Sequence, residues 1–421
     1  MSNLENFTVC VVGLGYIGLP TAAMFASRKV PVVGVDINRV AVDTINQGRI
    51  HITEPELDIV VRAAVEQGLL RARMEPAPAS AFLIAVPTPI GRGTHDPDVS
   101  YVLSAAEAIA PHLRSGNLVI LESTSPVGTT EVMAERLAKA RPDLTFPQIH
   151  GEESDIRIAY CPERVLPGKV IHELVANDRL IGGLTERCSR EAIELYRTFV
   201  DGECIATNAR TAEMAKLTEN SYRDVNIAFA NELSMICDGL GIDVWELITL
   251  ANRHPRVNIL QPGPGVGGHC IAVDPWFIVA SSPENSRLIR MARSVNDDKP
   301  AWVLDKIAAA AATHVAAQPG TSADEVTIAC YGLAFKPDID DLRSSPAVEI
   351  VRQLVSEHKG TVLVAEPNVS VLPGDLRGAE LVDAETAARR ANVHVLLVDH
   401  REFKRMAKPS GIRVDTRGMG W

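Results

Sequence analysis

A glycine-rich turn sits between the first apolar run and the first helical pattern of this chain, and it leaves few folds open. Thr8-Val-Cys-Val-Val12 reads as a strand, Gly13-Leu14-Gly15-Tyr16-Ile17-Gly18 follows at once, and Gly18 to Arg28 reads as a helix. In that setting Gly13 permits the tight turn. Gly15 lets the backbone approach a pyrophosphate at the helix N-terminus, and Gly18 lets the helix pack closely on the strand. Tyr16 and Ile17 belong to the same binding turn. The pattern also asks for an acidic residue at the end of the second strand, to hold ribose hydroxyls. Val30–Val35 is that strand, and Asp36 follows it. A carboxylate repels a 2′-phosphate, so NAD is favoured over NADP, with Arg39 as the counter-indication. The competing reading is a glycine turn without a ligand.

The rest of the first half keeps the alternation. Apolar runs at Ala81–Val86, Leu118–Leu121 and Ile156–Tyr160 are separated by helical stretches, which implies a parallel sheet with helices on both faces. From Thr211 the texture changes. Met214, Leu217, Val225, Phe229, Leu233, Ile236 and Leu240 recur at helical spacing. Glu284–Ala317 is helical too, with Pro300 expected to kink or divide it. These apolar stripes fit either an internal core or a dimer interface. After the polar segment Gln318–Asp324 the strand–helix alternation returns up to Ile412–Val414. The expected class is α/β. Residues 1–205 form a Rossmann-like NAD-binding domain, 206–315 a helical middle and dimerisation domain, and 325–421 a second, smaller α/β domain.

Composition narrows the function. A net charge of -11 argues against a nucleic-acid binder. The seven cysteines are scattered and never paired as CxxC, which speaks against a zinc site, or any metal, and against a disulfide framework. No run approaches the ~18 apolar residues that span a bilayer, and no leader pattern opens the chain. A cytoplasmic protein with no membrane partner is expected.

Several side chains carry chemistry. Cys270 ends the run Gln261-Pro-Gly-Pro-Gly-Val-Gly267-Gly268-His269-Cys270, and Asp274 lies four residues on. Behind a dinucleotide turn, such a cysteine suggests an oxidation through a covalent thiol adduct; the competing reading is a buried core thiol. Lys216 and Asn220 share a helix face, and Arg223 lies beside it. An ammonium and an amide there suit an alkoxide or oxyanion, where a lone helical lysine is ordinarily a solvated charge. Glu163, in Cys161-Pro-Glu163-Arg164-Val165, follows a strand and suits a general base acting through water, or a surface carboxylate. Thr88, Thr124 and Thr129 sit in loops after strands, where hydroxyls suit ribose, phosphate or a catalytic water, or simply make turns. His254 and Arg256 form a basic cluster, and Phe335-Lys336 with Arg343 follows the first strand of the last domain. These cations suit a nucleotide diphosphate.

Gly13-x-Gly15-x-x-Gly18, Ser123-Thr124-Ser-Pro-Val-Gly-Thr129, Pro162-Glu163, Lys216-x-x-x-Asn220, Gly267-Gly268-x-Cys270-x-x-x-Asp274 and Phe335-Lys336 come in one order along the whole chain. Together they resemble the nucleotide-sugar 6-dehydrogenases, the family of UDP-glucose and GDP-mannose dehydrogenases. The resemblance implies a UDP-sugar oxidised twice at C6, with two NAD consumed per sugar and no metal. It implies Cys270 as nucleophile, Lys216 and Asn220 on the oxyanion, and Asp274, Glu163 and Thr124 in the chemistry. Gly13, Gly15, Tyr16, Ile17, Gly18, Asp36, Thr88, Thr129 and Arg343 would hold the cofactor. Arg164, Val165, Lys216, Asn220, Arg223, His254, Arg256, Gly267, Phe335 and Lys336 would line the sugar nucleotide site. A homodimer is implied, with Arg256 acting across it.

One departure bears on the sugar. Leu166-Pro167-Gly168 stands where the UDP-glucose enzymes carry a second glutamate in an Ala-Glu-Gly segment. The stretches Ala159–Gly168 and Asn252–Cys270 are most similar to members acting on UDP-N-acetyl-D-mannosamine. They imply that substrate and a role in bacterial surface polysaccharide (enterobacterial common antigen) synthesis. The alternatives are the same chemistry on UDP-GlcNAc, UDP-GalNAc, UDP-glucose or GDP-mannose, or a non-catalytic nucleotide-binding redox sensor, which predicts erosion of these residues.

Overall fold

The computed structural model describes residues 7–91, 94–166, 168–268 and 270–421, so Pro167 and His269 of the motifs above lie outside the described residues. The chain folds as two compact units, Met1–Glu219 with Trp276–Pro283, and Asn220–Pro275 with Glu284–Trp421. Each is built on its own sheet.

The first sheet has eight strands: β1 (Val9–Val12), β2 (Val32–Val35), β3 (Leu70–Arg73), β4 (Ala81–Ile84), β5 (Leu118–Leu121), β6 (Arg157–Tyr160), β7 (Arg179–Gly183) and β8 (Cys204–Asn208). They lie in the order β3-β2-β1-β4-β5-β6-β7-β8. β6 and β7 run antiparallel, and the other neighbours are parallel. β1, β4, β5 and β6 are buried along their whole length. Such strands read as unbroken apolar runs because helices cover both faces. Val11, Leu83 and Ile120 point into one core, and Cys10, Phe82 and Val119 into the other. The chain order reverses between β1 and β4, which opens a crevice at their carboxyl ends.

The second sheet is wholly parallel: β9 (Ile328–Tyr331), β10 (Val362–Ala365), β11 (Ala379–Leu381), β12 (Val393–Leu396) and β13 (Ile412–Asp415), in the order β11-β10-β9-β12-β13. β3, β8 and β11 are edge strands and carry weak sequence signals: Leu-Arg-Ala-Arg in β3 is half exposed, and β11 has 3 residues.

Two long helices dominate the middle of the chain. Ala209–Leu240 has 32 residues and carries the chain from one unit into the other. Arg287–Ala317 has 31 residues and runs undivided through Pro300. The lost backbone bond costs about 3 kcal/mol. It is offset by burial of Ala292, Arg293 and Asn296 before the proline and of Val303, Ile307 and Ala310 after it.

Where Arg287–Ala317 meets the second part of the first long helix, the contact is polar. Arg293, 1% exposed, donates through Nη1 to Asp224 Oδ1 at 2.5 Å, and Asp224 is fully buried. Asn296 Nδ2 donates to Asp224 Oδ1 at 2.8 Å, and Asn231 Nδ2 donates to Asn296 Oδ1 at 2.9 Å. Removing one partner of a buried pair leaves an uncompensated charge. Arg293→Met is therefore expected to lower unfolding free energy by about 3–5 kcal/mol, read as a fall in the denaturant midpoint. A midpoint equal to wild type would show that the pair contributes nothing net.

Candidate active site

The glycine turn after β1 is shaped by close approach. Gly13 has φ +92°, and a Cβ there would lie 2.4 Å from the Ala85 carbonyl oxygen. A Cβ on Gly18 would lie 1.8 Å from the Gly13 oxygen, whereas one on Gly15 would meet nothing within 4 Å. The turn is thus closed on the protein side and open at Gly15, where a phosphate needs room. Gly13 N–H donates to the Val35 carbonyl at 2.8 Å. Leu14 N–H donates to Asp36 Oδ2 at 2.9 Å, and Asn38 N–H to Asp36 Oδ1 at 2.8 Å. These bonds orient the Asp36 carboxylate and leave lone pairs for ribose hydroxyls. Tyr16 is exposed and Ile17 half-buried on the same turn. The residues present fit a dinucleotide.

Thr88 and Thr124 meet on the same carboxyl edge, where Thr88 Oγ1 donates to the Thr124 carbonyl. Thr129 is buried, and its hydroxyl donates to the Pro126 carbonyl at 2.7 Å. Glu213, fully buried on the helix 209–240, accepts Gly128 N–H at 2.6 Å and Thr130 N–H at 2.8 Å. Burial pushes its carboxyl up against these bonds. Glu213 thereby fastens the first turns of that helix to the Thr124–Thr129 loop, and Lys216 is half-buried one turn further on.

Glu163 is buried rather than on the surface. It pairs with Arg179 of β7 at 3.1 Å and accepts Arg164 N–H at 2.7 Å. Arg164 reaches Glu219 at 2.8 Å, and Val165 is half-buried beside it. The following segment is pinned by Glu54, 4% exposed, which accepts Gly168 N–H and Val170 N–H, each at 2.9 Å. Motif reading passed over Glu54, which lies more than 100 positions away in the chain.

In the second unit Asn220 Nδ2 donates to Asp274 Oδ2 at 2.5 Å, and Asp274 N–H donates to the Cys270 carbonyl at 2.8 Å. Asp274 is buried, while Cys270 is exposed and the other six cysteines are buried. Burial pushes the Cys10 thiol up to about 11 and those of Cys161 and Cys330 up to about 12, which keeps them protonated. The loop before Cys270 lies against the last domain. A Cβ on Gly267 would lie 2.6 Å from the Ser344 oxygen and 3.0 Å from Phe335 Cβ, so a packing constraint fixes that glycine. Gly263 N–H donates to Asn231 Oδ1 at 2.9 Å, joining the loop to the polar ladder between the long helices. Arg223, His254 and Arg256 are exposed.

Phe335 and Lys336 are half-buried after β9, and Arg343 pairs with Asp341 at 2.7 Å. Their loop hangs from a second clamp. Gly332 has φ +92°, and its N–H donates to the Ala365 carbonyl at 2.8 Å. Leu333 N–H donates to Glu366 Oε2 at 2.7 Å. His400 is fully buried; its Nδ1 accepts Asp338 N–H at 2.9 Å, so its Nε2 carries the proton toward Glu366 Oε2 at 3.0 Å. Burial pushes the Glu366 carboxyl up, but these bonds outweigh it and hold it below the ordinary value.

Models of the UDP-glucose/GDP-mannose dehydrogenase family match three stretches: its NAD binding domain over residues 7–200, its central domain over 210–298 and its UDP binding domain over 329–419. The chain is 64% identical to a UDP-N-acetyl-D-mannosamine dehydrogenase of Yersinia pestis over 98% of its own length and 99% of that protein's. It is 63% identical to an NDP-N-acetyl-D-galactosaminuronic acid dehydrogenase of Ralstonia nicotianae, over 99% and 97% respectively. A solved UDP-D-ManNAc dehydrogenase from Pyrococcus horikoshii superposes with TM-score 0.87 at 39% identity, over 98% of this chain and 96% of that one.

Asp36→Asn keeps an acceptor for the Leu14 amide and removes the charge. Charge-assisted bonds contribute about 1.5–3 kcal/mol, so the Kd for NAD should rise roughly tenfold or more while the preference against NADP shrinks. Calorimetric titration with both cofactors checks this, and an unchanged ratio would remove Asp36 from the ribose site.

Proposed function

The chain belongs to the UDP-glucose/GDP-mannose dehydrogenase family, and from that premise we propose that it oxidises C6 of UDP-N-acetyl-D-mannosamine twice, to the uronic acid. The observation that carries the reading is the exposed Cys270 beside the Asn220–Asp274 hydrogen bond, in a chain whose other thiols are buried. NAD, when bound, accepts the hydride of each oxidation.

The protein's own groups supply the rest. A base takes the C6 hydroxyl proton while the Lys216 ammonium stabilises the alkoxide, with Asn220 in support. The Cys270 thiolate then adds to the aldehyde carbon, forming a C–S bond and a thiohemiacetal. The second oxidation leaves a thioester on Cys270. Water adds to its carbonyl, with Asp274 and Glu163 as the carboxylates that take its proton, and Thr124 as a hydroxyl donor on the sheet edge. The C–S bond breaks, the thiolate returns and the carboxylic acid leaves. One water is consumed, and two hydrides leave the sugar. Covalent capture keeps the aldehyde from escaping between the steps.

Gly13, Gly15, Tyr16, Ile17, Gly18, Asp36, Thr88 and Thr129 form the cofactor side in this reading, with Arg343 reaching toward it. Arg164, Val165, Arg223, His254, Arg256, Gly267, Phe335 and Lys336 hold the UDP-sugar. The match to a UDP binding domain over 329–419 supports UDP as the carrier. The mannosamine configuration rests on the Yersinia pestis relative, and the Ralstonia relative favours a galactosamine sugar as the second reading. A homodimer through the long helices is supported by exposed Met214, Tyr222, Phe229, Ile236, Leu240, Leu288 and Met291, with Arg256 acting across it. No helix of the described residues is long and apolar enough to cross a membrane. A cytoplasmic enzyme feeding surface polysaccharide synthesis accords with the substrate.

NADH counted per sugar over a panel of UDP- and GDP-sugars tests the reading. Two NADH per UDP-ManNAc, with little from the others, is expected. Turnover of UDP-GalNAc instead would move the substrate to the second reading, and one NADH per sugar would abolish the role of Cys270. Cys270→Ser should lower acid formation by at least about a hundredfold, the scale of lost covalent catalysis.

A further inference from the structure

Pro300 removes a backbone bond from the middle of Arg287–Ala317, and it does so where the loop leading to Cys270 passes. A proline has no N–H, so the carbonyl of Asn296, four residues earlier, receives no helix bond from position 300. A Cβ on Gly265 would lie 3.4 Å from that carbonyl oxygen and 3.3 Å from Pro300 Cγ. It would also lie 2.9 Å from Cβ of Pro346, the first residue of the helix Pro346–Glu357. The Gly265 hydrogen that stands in its place therefore faces two proline rings and a carbonyl that lacks its helix donor. Such a carbonyl can accept a weak C–H bond.

The neighbouring residues of the loop are held on the same body. Gly263 N–H donates to Asn231 Oδ1 at 2.9 Å, and Asn231 Nδ2 donates to Asn296 Oδ1 at 2.9 Å. Asn231 is fully buried and Asn296 is 1% exposed. Asn296 thus supports the loop twice, through its side chain by way of Asn231 and through its carbonyl beside Gly265. Two residues further on, a Cβ on Gly267 would lie 2.6 Å from the Ser344 oxygen and 2.8 Å from Pro346 Cδ. Every second residue from 263 to 267 is therefore a glycine pressed against the second unit, to which Cys270 also belongs.

We propose that Pro300 and Asn231 are positioning residues for the nucleophile: they form a seat on the two long helices that fixes the Gly263–Gly267 segment and so aims Cys270. The proposal rests on the reading of Cys270 as the thiol that captures the aldehyde. Nothing in the seat touches the first oxidation, in which the hydride leaves before Cys270 bonds to carbon. A displaced loop slows C–S bond formation alone, because covalent capture depends steeply on the placement of the attacking atom. The aldehyde then has time to leave, and the two oxidations come apart. The helix gives up the stability of an ordinary residue at position 300 in exchange for the seat.

The test follows both NADH phases of a single turnover by the full-length enzyme with saturating NAD and UDP-ManNAc, with semicarbazide present to trap free aldehyde. Pro300→Ala supplies an N–H for the Asn296 carbonyl and removes the ring beside Gly265. Its denaturant midpoint should rise, while the second NADH phase slows roughly tenfold, NADH per sugar falls below two and trapped aldehyde appears. The first phase should keep its wild-type rate. Asn231→Ala leaves the Gly263 amide unpaired and should uncouple the phases in the same way, with a lower midpoint; Pro300→Ala carries the test if Asn231→Ala does not fold. A merely structural role would slow both phases together, as stability fell. Equal slowing of both phases, or two NADH per sugar without trapped aldehyde in Pro300→Ala, would overturn the proposal. Cys270→Ser separates the two failures. If it releases aldehyde while Pro300→Ala does not, the seat alone is refuted. If it still yields two NADH per sugar, the reading of Cys270 is refuted and the proposal with it.

Discussion

One hydrogen-bond arrangement sets the ligand edge of both sheets: the backbone N–H after a turn glycine donates to a carboxylate at the end of the neighbouring strand. Leu14 N–H donates to Asp36 after β2, and Leu333 N–H to Glu366 after β10. Each turn glycine has φ +92° and donates to the last residue of that same neighbouring strand. An L side chain is disfavoured there, and in the first turn a Cβ would strike the Ala85 carbonyl. The two clamps are used differently. Asp36 is half-buried and keeps acceptor capacity for a ribose. Glu366 is buried and bonded by His400, so it serves as a fixture for the loop bearing Phe335 and Lys336.

Buried charge recurs beside the chemistry in a chain whose net charge is -11. Glu213 holds the Thr124–Thr129 loop, Arg179 holds Glu163, and Asp224 with Arg293 closes the ladder from which Asn231 reaches the Cys270 loop. Buried ions are weak sources of net stability, because desolvation consumes much of the attraction. Where the geometry is satisfied, as at Glu213, it nonetheless fixes orientation: a carboxylate gripped by two backbone amides has one place to be.

Much of the fold was legible because the strong strands of parallel sheets are short, apolar and periodically interrupted. β1, β4, β5 and β9 could be read directly, as could the helix opening at Gly18. β3 and β11 escaped because edge strands need less apolar sequence. Pro300 does not divide the helix, since a proline penalty is local whereas burial acts over the whole of Arg287–Ala317. In the candidate site, glycines and a cysteine in ordered motifs were readable; Glu54, Arg179 and His400 were not. Each is a single polar residue whose meaning depends on a partner 16 or more positions away.

By itself the sequence determined the alternating α/β plan, the glycine turn with its Asp36, and the order of the motifs that place the chain in its family. These are local properties, since dihedral freedom, apolar period and residue spacing are written in consecutive residues. Only the tertiary structure decided that Cys270 is exposed while its six counterparts are buried, that Gly267 is required by the approach of Phe335 and Ser344, and that Glu163 is buried against Arg179. Burial and the pairing of charges are properties of what surrounds a residue, and that environment exists only once distant segments have packed together.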